Sequence, residues 1–398
     1  MLTKKRKNLI IRNIKLYPWH YLFRGCIPST PIAILYFAEV TNSYAAATSI
    51  FALHFIAIAL FEIPCGVFSD QYLGRKRTII AANLTRLAAF IIFPLAAITG
   101  GYQLLLIGAL MMGLSDALFS GTEESLLYES VSEAKKEKIF HEIFGRCRSI
   151  MQLGMVIGTL LGFGIAYIFS LLTAMWITIF FGIAGLVVDL FLVKPKSNVL
   201  DRTAMHLQIK QAFALMKSNR LIKDIATARL LNYSAGEVLY RFEVAFFYTL
   251  VPLWAIGIAR IERQALGIIS FWFSGSLISK FSFRKVLPWS AAGDIASRFT
   301  GLCLNNVLTP FLLPLSNLFL GTEMTASDTL LQREFKDSLR ATVLSLISLG
   351  VNIISALLYL FVGFLADLTN PLTAMFFALG FKALAVPLYF RIASWLRV

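Results

Sequence analysis

Ionisable side chains recur at helical spacing inside apolar stretches of this chain. Asp116, Ser120, Glu123 and Glu124 fall at i, i+4, i+7 and i+8, which puts them on one helix face. Arg229, Tyr233, Glu237 and Arg241 follow at successive steps of four, and Glu237 and Arg241 suit an intrahelical pair. Arg24, Tyr36 and Glu39 occupy an early apolar run, Glu323 and Asp328 a late one. Charge inside a bilayer is costly, so such groups face a cavity, a partner or a passing solute. The chemistry that fits is recognition of polar cargo and uptake and release of a proton. Asp116, Glu237 and Glu323 are the expected proton carriers; the competing reading is a buried pair that only ties helices together. Glu123, Glu124 and Glu129 are expected either to face Arg146 and Arg148 or to be solvated at an interface. Asp294 and Arg298 read as a structural i, i+4 pair, His54 as a helix contact, and Glu62 before Pro64 as structural.

The elements that must position these groups are legible in the composition. Of 398 residues, 58% are hydrophobic and only 15% charged, where soluble domains carry about 25% charge. That excludes an ordinary soluble enzyme, a disordered chain and a secreted disulfide scaffold. Apolar runs near the length of a membrane-spanning helix predict spans at 19–40, 44–68, 78–98, 102–127, 147–169, 171–193, 222–251, 264–281, 286–306, 308–332, 341–367 and 370–392. The net charge of +15 then becomes a topology signal. Most Lys and Arg fall in intervals on one side of these spans, so both termini are expected to be cytoplasmic. Arg260 and Arg263 fall in a predicted external loop, while Arg24, Arg86, Arg229, Arg241, Arg298 and Lys382 fall inside spans. Basic residues cluster only at span ends, so nucleic acid is not an expected partner. Four scattered cysteines give neither a disulfide framework nor a zinc spacing, and no metal site is expected.

The longest polar interval opens with Lys194-Pro195-Lys196 near the midpoint. Met205, Ile209, Phe213 and Met216 recur within it at helical spacing, predicting an amphipathic helix along the cytoplasmic membrane surface. The two sides of this interval echo one another. Gly66 to Arg75-Lys76 is matched by Gly275 to Arg284-Lys285, Gly121-Thr122-Glu123 by Gly321-Thr322-Glu323, and Arg148 with Gly154 by Arg340 with Gly350. The expected fold is an all-α membrane protein of 12 transmembrane helices in two pseudo-symmetric six-helix bundles. Residues 1–193 and 222–398 form the bundles, and residues 194–221 the linker. Parallel repeats of this kind place a substrate site at their interface.

The segment Gly66-Val-Phe-Ser-Asp70-Gln-Tyr-Leu-Gly74-Arg75-Lys76-Arg77 follows the second span. It resembles the cytoplasmic gating motif of the major facilitator superfamily (MFS), Gly-x-x-x-Asp-Arg-x-Gly-Arg-Arg/Lys. Gly66, Asp70, Gly74, Arg75 and Lys76 match, Gln71 stands at the family's Arg, and one extra residue precedes Gly74. Gly66 would allow close helix approach, Gly74 a tight turn, and Asp70 would accept hydrogen bonds and pair with an Arg. The resemblance implies that this cluster latches the cytoplasmic side and that spans 1, 4, 7 and 10 line a central cavity. The longer spacing also occurs in the oligopeptide branch, but span 1 here lacks that branch's Glu-x-x-Glu-Arg-Phe signature. Gly154, Gly158 and Gly162 in span 5 partly resemble the antiporter motif, with Thr159 and Phe163 as departures; small-residue spacing equally serves helix packing. Ala109 occupies the position where a family Arg would precede Gly113.

The resemblance implies a bacterial inner-membrane secondary transporter working by alternating access, driven by a proton gradient without a cofactor, monomeric, with a small-molecule substrate and the lipid bilayer as partners. Metalloprotease, serine-hydrolase and nucleotide-binding signatures are absent, so an enzyme is not expected. The leading expectation is export of an amphipathic or cationic molecule in exchange for protons, because the candidate cavity helices carry several acids and aromatics. The alternative is proton-coupled or facilitated uptake of a nutrient such as an amino acid, sugar or siderophore, which Arg24, Arg229 and Arg241 would suit if the cargo is anionic. A membrane receptor or scaffold without transport is the remote alternative.

Overall fold

The computed structural model describes residues 4–136, 139–195, 205–334 and 337–396. The fold among them is all helical, and contacts divide the chain into two compact units, Met1–Val199 and Leu200–Val398.

The first unit contains α1 (Lys4–Gly25), α2 (Ala33–Thr41), α3 (Tyr44–Phe68), α4 (Arg75–Thr99), α5 (Tyr102–Phe119), α6 (Thr122–Glu133), α7 (Phe140–Ile168) and α8 (Leu171–Leu190). Predicted span 1 is therefore two helices. The chain leaves α1 at Gly25 and re-enters helix through a 3-10 turn at Thr30–Ile32. Pro28 and Pro31 cannot donate the backbone bonds that a continuous helix needs. Predicted span 4 is broken too. Gly121 adopts φ +69°, a left-handed conformation open to glycine at little cost, and ends the α5 run before α6. Ser43 and Ser170 cap α3 and α8, each accepting a backbone N–H three residues on.

The second unit contains α9 (Met205–Ser218), α10 (Arg220–Tyr248), α11 (Leu253–Leu304), α12 (Thr309–Leu312), α13 (Asn317–Arg333), α14 (Asp337–Leu368), α15 (Pro371–Ala383) and α16 (Ala385–Trp395). At 52 residues α11 would be about 78 Å long if straight, enough for two crossings, and Ser282 at φ +63° divides it. Pro310 and Pro314 break predicted span 10, leaving α13 as its main helix. Of the predicted linker, residues 196–204 lie outside the described residues. Helix α9 covers part of the rest; of the predicted stripe, the side chains of Met205 and Ile209 lie outside the described residues, Met216 faces the core and Phe213 does not. Ala212, Leu215 and Met216 pack into the core of the second unit, whereas Phe213 is exposed.

Eight helices among the described residues are long and apolar enough to cross a membrane, by length and composition. Helix α10 is not among them, because Lys223, Asp224, Arg229, Glu237, Arg241 and Glu243 dilute its hydropathy. Each unit has its own core, around Tyr17, Tyr21, Phe119 and Leu126 in the first and Ile222, Leu287, Leu331 and Tyr389 in the second.

Candidate functional site

The break at Gly121 brings two acids from different helices to one cavity. Asp116 near the end of α5 and Glu123 in the first turn of α6 line a space of about 290 Å³ with Arg24, Phe119, Ser120, Gly121, Glu124 and Arg148. Asp116 binds two guanidiniums. Arg24 Nη2 lies 3.1 Å and Arg86 Nη2 2.9 Å from its Oδ1, and His54 Nε2 lies 3.3 Å from Oδ2. Both guanidiniums also lie over the Phe119 ring, 4.3 Å and 4.6 Å from its centroid. Glu123 faces Arg24 Nε and His20 Nε2, each at 3.5 Å. His20 Nδ1 in turn lies 2.6 Å from Asp189 Oδ1 on α8, and Asn83 Nδ2 donates to the other Asp189 oxygen.

The result is one connected polar network from His54 to Asn83, drawn from α1, α3, α4, α5, α6 and α8. His20 Nδ1 is hydrogen-bonded to Asp189, whereas His20 Nε2 and Glu123 Oε2 make no hydrogen bond to the described residues; a proton on each ring nitrogen would let His20 donate to both carboxylates.

Other candidates in the first unit stand apart. Tyr36 is buried and donates to the Phe93 carbonyl at 2.7 Å, a structural bond, and Glu39 is exposed. Arg146 pairs with Glu142 rather than with Glu123, Glu124 or Glu129. Glu62 accepts from Ser120 Oγ at 3.2 Å, joining α3 to the end of α5.

In the second unit Glu323 is 1% exposed and accepts from Tyr389 Oη at 3.0 Å and from Asn232 Nδ2. Both donors are neutral, and no cation among the described residues lies within ion-pair distance of it. The remaining candidate acids are paired. Arg229 binds Asp328 and donates to Ser327 Oγ at 3.0 Å. Arg241 Nε lies 2.7 Å from Glu237 Oε1 on the same helix. Tyr233 lies beneath the Arg229 guanidinium, 5.5 Å from the ring centroid, and its buried hydroxyl makes no hydrogen bond to the described residues. Arg298 and Asp294 form the expected pair at 2.9 Å, which Lys382 joins.

Several members of these clusters escaped the sequence reading. Arg260 and Arg263 are not loop residues. They lie buried on α11, bound to Glu243 of α10. His20, Asn83, Asp189, Asn232 and Glu243 were not singled out, and Arg86 and Lys382 were placed in spans without partners. The available signal was a lone acid in an apolar run: Val188-Asp189-Leu190 and Phe242-Glu243-Val244 both show it.

At the segment that resembles the family's gating motif, α3 passes through a π turn at Ser69–Leu73 into Gly74, whose φ of +75° and ψ of 147° start α4 in a new direction. Arg75 Nη1 reaches Glu129 Oε1 at 2.9 Å, and Lys76 Nζ donates to the Leu190 carbonyl at 3.2 Å. Arg77 is exposed. The side chain of Asp70 lies outside the described residues. Gly66 is not a point of close approach, because a Cβ there would meet no described atom within 4 Å.

Close approach occurs on α7 instead. A Cβ at Gly154 would collide with the Leu22 carbonyl oxygen, one at Gly162 with that of Pro28, and one at Gly158 would lie 2.9 Å from Ile27 N. The glycine stripe thus seats α1 and the turn after it against α7. Gly162→Ala is expected to destabilise the protein by about 1–3 kcal/mol, as overpacking does. Gly164→Ala, which meets nothing within 4 Å, is expected to be near neutral. Thermal unfolding of the two variants side by side checks this.

A family model described as Major Facilitator Superfamily matches residues 21–271. No curated protein matches the sequence. Among solved structures, the nucleoside transporter NupG is similar over 98% of this chain and 100% of its own, with TM-score 0.76 and 16% identity. A bacterial homologue of the human lysosomal transporter Spinster, in an inward-facing and unoccupied conformation, is similar over 99% of this chain and 98% of its own, with TM-score 0.75 and 14% identity. The peptide transporter PepTSo is similar over the full length of both chains, with TM-score 0.67 and 12% identity. At such identities the likeness is one of fold, and it agrees with the family match covering well over half of the sequence: this multi-pass membrane protein belongs to the major facilitator superfamily.

Proposed function

We propose that the chain is a proton-coupled secondary transporter that takes up a small polar molecule by alternating access. In this reading residues 1–193 and 222–398 are two bundles of six spans joined by residues 194–221, with both termini on the cytoplasmic side of a bacterial inner membrane. Solute transport is the common theme of the structurally similar proteins, a nucleoside transporter and a peptide transporter among them.

One observation carries the coupling. Glu323 is a buried acid whose hydrogen-bond donors are neutral, so it can gain and lose a proton without breaking a direct ion pair. Protonating Asp116 would strand Arg86 and leave Arg24 only the longer contact to Glu123, and protonating Asp328 would strand Arg229. The same pairing argues against a cationic cargo, which would have to displace an arginine from Asp116, Glu237 or Asp328. The antiporter resemblance loses weight as well, since packing against α1 accounts for the glycines of α7. Uptake is therefore favoured over the export expected from the acids alone. Proteoliposomes with an imposed pH gradient decide the direction: cargo moving with protons supports uptake, and cargo moving against them supports export.

The Arg75–Glu129 pair serves the latch in this reading. A partly buried ion pair contributes about 1 kcal/mol, which is about fivefold in a two-state equilibrium. Glu129→Gln is expected to change turnover by about that factor while leaving the cargo Kd unchanged. Counterflow rates measured beside equilibrium binding would show it, and an unaltered rate would remove this pair from the latch.

A further inference from the structure

Three guanidiniums converge on one carboxylate in the second unit. Arg260 Nη1 lies 2.6 Å from Glu243 Oε1. Arg263 Nη1 lies 2.6 Å and 2.5 Å from the two oxygens of the same group, and Arg298 Nη1 lies 4.0 Å from Oε2. Arg298 also binds Asp294, as does Lys382. Four cations thus share two carboxylates, and none of the six side chains is more than 7% exposed.

The surplus is not balanced nearby. The pairs Arg229–Asp328 and Arg241–Glu237 are each neutral in sum. Glu262, between Arg260 and Arg263 in sequence, makes no ion pair among the described residues. Glu323, even if ionised, would leave one positive charge over. Lysine can deprotonate when buried but arginine does not, so with Lys382 and Glu323 both neutral three guanidiniums still face two carboxylates. Buried net charge is expensive unless a counter-charge meets it. Two of the buried nitrogens, Arg260 Nε and Arg298 Nη1, also make no hydrogen bond to the described residues.

We propose that this cluster on α10, α11 and α15 is an anion site that takes a small oxyanion, a carboxylate or phosphate group. Guanidinium forks match two-oxygen groups of this kind in geometry and charge. The Tyr240 ring lies 4.2 Å from the Arg260 guanidinium and 5.1 Å from that of Arg263, supporting their faces. The oxyanion can be a free ion or the charged end of a larger solute. The site does not depend on the coupling role of Glu323, because it is read by binding rather than by transport.

The test is thermal unfolding of the full chain in detergent while a probe replaces chloride at constant ionic strength. Acetate and inorganic phosphate probe for a free ion, and N-acetylglycine and glycerol phosphate for an anion-bearing solute. Expected is a saturable rise in Tm with at least one probe, the responding pair telling which source the site serves. In Arg298→Gln the half-saturating concentration should rise at least about tenfold. It should be unchanged in Arg146→Gln, an exposed position on α7. If Arg298→Gln does not fold, Arg260→Gln takes its place; if neither folds, the wild-type titration decides alone. No saturable rise with any of the four probes would overturn the site, and so would an equal response in wild type and a folded variant.

Discussion

Glu323→Gln is expected to abolish accumulation of cargo against its gradient while leaving downhill exchange largely intact. The carboxamide keeps the shape of the side chain, and its oxygen still accepts from Tyr389 and Asn232, so the packing of α13 against its neighbours should survive. What it loses is the ability to take up and release a proton. A gradient of one pH unit is worth about 1.4 kcal/mol per proton, which supports about tenfold accumulation for a one-to-one symporter. Expected is a fall from that ratio to about one in the variant, with counterflow within a few-fold of wild type. Accumulation that persists in Glu323→Gln would move the proton elsewhere, His20 between Glu123 and Asp189 being the next candidate by geometry.

Asp116→Ala is expected to do broader damage. It removes the acceptor shared by Arg24 and Arg86 and leaves two guanidiniums stacked on Phe119 without that counter-ion. Breaking a buried pair from one side costs about 3–5 kcal/mol. Because Asp116 is 24% exposed toward the cavity, about 2–3 kcal/mol is the fitting range. Both stability and transport should fall, unlike in Glu323→Gln. Combining Asp116→Ala with Arg86→Met should recover part of the lost Tm without restoring transport. The melting curve and the exchange rate of the two variants, read together, check this. A single variant as stable and as active as wild type would show that the arginines do not depend on Asp116.

The two acids illustrate what was legible in the sequence. Apolar run length located most helices, and both Asp116 and Glu323 were visible as charges inside such runs. The partners were not visible, since pairing is set by tertiary packing. Arg86 meets Asp116 from 30 residues away, and Asp189 meets His20 from 169. The same limit misplaced Arg260 and Arg263. Two basic residues flanking Glu262 read as a loop, because hydropathy does not register that Glu243 on the preceding helix neutralises part of their charge. The helix breaks divide along the same line. Pro28, Pro310 and Pro314 carry a local signal for interruption, and Gly121 a weaker one. Ser282 carries none, because serine seldom adopts a positive φ and only its surroundings impose it. The repeat was legible in letters but not in conformation: Gly121 ends a helix, whereas Gly321 lies inside α13 in tight contact with Ser270 and Phe271.

The most direct measurement follows internal pH in proteoliposomes holding wild type or Glu323→Gln, with the membrane potential clamped. Nucleosides, sugars and amino acids are added outside in turn. Expected is that at least one solute carries protons inward with it above the lipid leak in wild type, and that Glu323→Gln moves the same solute without the proton. Solute flux with no proton movement in wild type, or proton movement undiminished in the variant, would contradict coupling through Glu323.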